Sequence, residues 1–216
     1  MTATFLLVLT LSAGPSAPYM MNQPHAEGAQ AELTEAQSAG ELQLALRDLW
    51  AGHIFWVRSY VLSSHYKDER GAGAAEAEVV KNARAIADAT EPLYGGEAAD
   101  QLFQLLAGHY GAIKDYMEAH YRGDEAGQGA ASSTLTENAD AIATFLASAN
   151  PHLPKDAVLP LLVAHGGHHV QQINAIHGRD FTGEATIWEA MRTHMNTIAD
   201  AMADAFVKQF PDKFAS

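Results

Sequence analysis

The sequence predicts an all-α protein: a six-helix up-and-down bundle made of three 56-residue helix-hairpin repeats. Three observations carry that prediction. Beyond Gly40 the apolar residues recur in steps of three and four, and no alternating run is long enough for a strand. The strings LWAGH, LLAGH and LLVAH end on His53, His109 and His165, each 56 residues after the last. A second set keeps the same spacing, with NARAIAD starting at Asn82, NADAIAT at Asn138 and HMNTIAD at His194.

Residues 1–18 read as a signal peptide. The apolar run Phe5 to Leu11 is too short to cross a bilayer and is followed by small residues. That reading places the protein in the periplasm or outside the cell. Two features favour a frayed tail and a cytoplasmic protein instead: no Lys or Arg precedes the run, and Pro18 follows Ala17, the best cleavage residue. Residues 19–40 are polar and rich in Ala, Gln and Glu, which reads as a linker. Residues 41–216 are expected to form one helical bundle domain.

Within that domain, Leu42, Leu46, Leu49, His53, Trp56 or Val57, and Tyr60 fall on one helical face. Leu102, Leu105, His109, Ile113 and Tyr116 repeat the stripe, and Val158, Leu161, His165, His169 and Gln172 or Ile173 repeat it again. Ile86, Ile142 and Ile198 mark the partner helices. Breaks are expected in HYKDERGAG, YGG, YRGDEAGQG, NPHLP and HGRDFTG, where Gly, Pro and Asp cluster. A 56-residue hairpin cannot cover its own apolar stripe, so the three units must pack together.

Composition narrows the function classes. Against 26 acidic residues stand only 13 Lys and Arg, a formal charge of −13. That balance disfavours nucleic acid and anionic membrane, both of which need a basic surface. No cysteine is present, which removes disulfides, thiolate ligands and a cysteine nucleophile. No segment predicts a transmembrane helix, no G-x-S-x-G elbow occurs, and no carboxylate stands where a hemerythrin-like di-iron site needs one.

The histidines sit on the core stripe, where imidazole is poor apolar filler. Equivalent positions of three repeats in a closed bundle face one axis. His53, His109 and His165 should therefore converge, joined by His169 one turn further along the third helix. Neutral imidazoles converging in a dry interior would bind a divalent transition metal, and nitrogen ligands admit Zn, Ni, Fe or Cu. Helices packed about 8–10 Å apart leave little central room, so the site should be splayed or lie near the bundle mouth. Three functions follow: a metal-dependent enzyme, a non-catalytic metal-binding protein of the periplasm, or a structural bundle with satisfied core histidines. Asn82 and Asn138 would then hold the imidazole tautomers or simply satisfy them. For an enzyme, His168 and His194 are the acid–base candidates, and Tyr60 and Tyr116 would orient substrate. The aromatic belt of Trp50, Phe55, Trp56 and Tyr60 packs the core or walls a pocket for a small-molecule ligand.

The string HGGHHVQQI, His165 to Ile173, resembles the signature of the DinB-like helical metalloproteins, in which His-x-x-x-His on one helix precedes Gln. Val170 and Gln171 stand here where Arg-Gly is usual. The resemblance implies a nickel, zinc or related divalent ion held by His165 and His169, with a third ligand from His53 or His109. It also implies hydrolase or thiol-dependent transferase chemistry. The longer span from Glu41 to Phe214, with LWAGHIFWVRSYV, ENADAIATFLASANP and QFPDKF, is similar to an uncharacterised group of bacterial all-helical proteins.

Overall fold

The computed structural model describes residues 38–214, so the expected signal peptide and nearly all of the polar linker lie outside the described residues. The described chain is helical: α1 (Ala39–His65), α2 (Glu69–Asp88), the single turn α3 (Glu91–Tyr94), α4 (Gly96–Arg122), α5 (Glu125–Ala149), α6 (Lys155–His177), α7 (Phe181–Gln209) and a closing 3-10 turn (Pro211–Lys213). The α1 helix starts at Ala39 because Ser38 and Glu41 form a reciprocal capping box, each side chain serving the other's backbone N–H. Its first turn thus takes in the last two residues read as linker.

Three connections are tighter than the Gly-rich strings suggest. Chain reversal takes only Tyr66–Asp68, Gly123–Asp124 and Gly178–Asp180, and the glycines beyond lie inside the next helix. The cause is a capping carboxylate. Asp68 accepts from Gly71 N–H, Asp124 from Gly127 and Asp180 from Gly183, at 2.9–3.0 Å. A Cβ at any of those glycines would overlap the capping carboxylate. Just before each Asp, the chain passes through the left-handed region at Lys67, Gly123 and Arg179, with φ of 58°, 68° and 59°. There the N–H groups of Asp68, Asp124 and Asp180 bond back to the carbonyls of Ser63, Ala119 and Ala175.

The helices close into a ring in which each long helix packs on the next and α7 returns to α1. The α6 helix also touches α1 and α4, so these three reach towards the middle. Asn150 fixes the longer α5–α6 connection: its Nδ2 donates to Tyr94 Oη and Ala205 O, and its Oδ1 accepts from His152 N–H. The interior holds two apolar clusters. One runs through Leu42, Leu46, Ile54, Met195 and Phe206, and the other through Val57, Val79, Ile113 and Ile173. The histidine layer falls at their junction.

Candidate metal centre

His53, His109, His165 and His169 come together, each 1–4% exposed, with one ring nitrogen apiece lying within 4.8 Å of the others. Each comes from the core face of its helix: His53 from α1, His109 from α4, and His165 and His169 from successive turns of α6. These positions lie near the helix midpoints, not at the bundle mouth. Room is made by close backbone approach. The carboxamide of Asn82 would lie 2.9 Å from a Cβ at Gly52, that of Asn138 3.2 Å from one at Gly108, and Leu135 3.0 Å from one at Gly166.

The nitrogens face one another. His165 Nε2 lies 3.3 Å from His53 Nε2 and 3.2 Å from His169 Nε2. The rings of His109 and His165 stack at 5.3 Å with 15° between their planes, and Trp50 turns its ring edge-on to His53. Both ring nitrogens of His109, and Nδ1 of His165 and His169, are buried with no hydrogen-bond partner among the described residues. A structural histidine often donates to a main-chain oxygen; none of these four does so among the described residues.

Burial sets their protonation. Loss of hydration pushes His53 down to about 3, with repulsion from His109 adding to it. His109 falls to about 4 by burial, against a smaller opposing effect of the nearby Asn138 carboxamide. His165 and His169 are held well below the usual histidine range by burial first and by the other histidines second. Four neutral imidazoles, with their lone pairs free, are the form that ligates a metal.

Other expected residues fall elsewhere. Asn82 Nδ2 donates to Leu49 O and Asn138 Nδ2 to Leu105 O, each at 3.0 Å, so both bind a backbone carbonyl one turn before a histidine. His194 Nε2 makes the matching contact with Leu161 O at 2.8 Å and stays out of the cluster. His168 packs its ring on His194. Tyr116 donates to Asn174 Oδ1, while Tyr60 packs edge-on against Tyr110. His65, His120 and His177 gather with Tyr121 at the C-terminal ends of α1, α4 and α6.

One group beside the cluster escapes a sequence reading. Glu184, in the first turn of α7, is 2% exposed. Arg58 grips its two oxygens at 2.6 and 2.8 Å, and Gln172, three residues after His169, donates to Oε1 at 3.0 Å. The Arg58 bonds hold the Glu184 carboxyl below the usual range despite its burial. Because Gln172 shares α6 with His169, this pair anchors the helix that carries two of the four imidazoles.

The cluster could hold a metal ion. Compared with protein-family models, curated proteins and solved structures, the chain finds no match.

Proposed function

We propose that the protein binds one divalent transition metal ion through His53, His109, His165 and His169. The observation that carries this reading is the spacing of the ring nitrogens. Tetrahedral ligands about 2.0–2.1 Å from zinc stand about 3.3 Å from one another. The two close Nε2 pairs, at 3.3 and 3.2 Å, match that edge before any ion draws them in. Burial supplies neutral donors, and the unpartnered ring nitrogens would otherwise each cost about 1–3 kcal/mol.

Four imidazoles fill a tetrahedral sphere, which favours holding a metal over activating water, since catalytic zinc usually keeps one position open. Neither His168 nor His194 supports acid–base work, as they pack on each other and His194 is tied to a carbonyl. The reading is therefore a metal-binding protein, and zinc, nickel, iron and copper all suit the ligand set. The DinB-like signature lends support through the same pair, His165 and His169, with ligands from earlier helices completing the set.

A threefold hairpin repeat is part of the proposal. Its support is the 56-residue recurrence of the Asp caps, the left-handed residues before them and the cross-helix bonds from Asn82, Asn138 and His194. Under that reading the central histidine is one device made three times, with His169 added on the last copy.

Elemental analysis of the purified full chain tests the function, paired with thermal melts with and without chelator. One equivalent of a transition metal, and a melting temperature lowered by chelator, are expected. A chain that holds no stoichiometric metal after exposure to each of the four ions, and melts alike in chelator, overturns the proposal.

A further inference from the structure

Three of the four histidines have a second neighbour, which is empty space. Between α1, α4, α5, α6 and α7 lies a cavity of about 40 Å³. Its floor is His53, His109 and His165, and its walls include Trp50, Leu102, Leu106, Ile198 and Met202. His169 is not among the lining residues, so the cavity sits on the other side of the histidine layer from the second turn of imidazole.

The chemistry of the walls selects what can fill it. One water needs roughly 10–15 Å³ by this measure, so the space would take about three. Water also needs two to four polar partners, and the surface that these walls turn to the space is apolar, from aliphatic side chains, an indole and the carbon edges of imidazoles. A cavity lined in this way stays dry and takes an apolar guest. A charged or strongly hydrogen-bonding molecule would lose its hydration and gain no partner in return. The lining is least covered between α6 and α7, where Leu161 and Ala201 are its partly exposed members.

We propose that this cavity is a binding site for one compact, uncharged apolar molecule, about the bulk of a single xenon atom, held directly against the imidazoles of His53, His109 and His165. The inference deepens the metal-binding reading by giving the compartment beside the ion its own ligand class, while the cavity stands on geometry that needs no ion. The protein would thus pair a nitrogen-ligated metal with a guest of hydrocarbon character, each touching the same three side chains.

Xenon is the probe. It is dissolved under pressure into solutions of the full chain, metal-free and metal-loaded, and followed by xenon nuclear resonance and by shifts of protein methyl groups. One saturable site per chain is expected, with shifts at the methyls of Leu162, Ile198 and Met202. The variant Ala201→Leu fills the cavity from its rim and keeps a good helix former; it should weaken xenon binding at least tenfold and leave metal content unchanged. Absence of saturable xenon binding to the wild-type chain, or undiminished binding by a folded Ala201→Leu, overturns the inference. The methyl shifts keep the test independent of that variant, since shifts confined to surface methyls overturn it as well. Metal content after exposure to zinc, nickel, iron and copper separates the two readings: xenon bound by a chain that takes none of the four sinks only the metal proposal, and metal bound without xenon sinks only this one.

Discussion

His109 states the cost of the site most plainly, because both its ring nitrogens are buried without a partner. In the metal-free chain a similarly sized apolar residue removes that cost, whereas in the loaded chain it removes a ligand. His109→Leu should therefore raise the melting temperature of metal-free protein and lower that of metal-saturated protein. A plain packing histidine would give one sign in both states. Acid tests the same residue class. With the folded values depressed to about 3 at His53 and about 4 at His109, the unfolded chain binds more protons below about pH 6.5. Stability of the metal-free protein should hold above pH 6.5 and fall steadily as pH drops towards 4. One pH unit into that window, each such histidine costs about 1.4 kcal/mol. Denaturant melts from pH 4 to 8 check it; a flat profile would mean the imidazoles are not kept neutral by burial. These four residues were legible in the sequence, since imidazole on an apolar stripe at a fixed spacing has few other readings. Glu184 was not: in TGEAT it looks like a solvated carboxylate, and only the fold brings Arg58, 126 positions earlier, against it.

At the level of the helix, the recurrent two- or three-residue reversal makes a sharper prediction than any propensity. Lys67 and Arg179 occupy the left-handed region that glycine fills at position 123. Side chains there cost about 1–2 kcal/mol, offset in part by the greater freedom glycine loses on folding. Lys67→Gly and Arg179→Gly should each stabilise the protein by about 1 kcal/mol, and Gly123→Lys should destabilise it by a similar amount, read from denaturant midpoints. The helices themselves were readable from periodicity, but their ends were not. Gly71, Gly127 and Gly183 look like turn punctuation, yet they are first-turn helical residues that make space for the capping Asp. The strings DERG, DEAG and DFTG carried that signal. The turn α3 and the continuation of α6 past Pro160 were also hidden, because packing outweighs the one backbone bond that proline forgoes inside a helix.

For the molecule as a whole, two apolar clusters meet at a layer where four histidines are deeply gathered. All-α architecture was foreseeable because each long helix has an apolar stripe it cannot cover alone. The cavity beside the layer was not, since voids arise from how side chains of five helices fail to interlock, and no single segment encodes that. An ion held at this depth, by residues 1–4% exposed at the midpoints of three helices, has only a carbon-lined cavity between it and solvent, where neither a hydrated ion nor a charged chelator finds a partner. Its departure is therefore governed by the breathing of the bundle and not by the strength of its nitrogen bonds. Isotope replacement should be slow at neutral pH, independent of chelator concentration once chelator is in excess, and accelerated by subdenaturing urea in step with the rate at which the helices part. A rate that climbs with every increment of chelator would reveal a channel through which the competitor reaches the ion. In a cell, such burial would make the protein a slow keeper of a metal: filled while the helices are closing, and emptied only when they open.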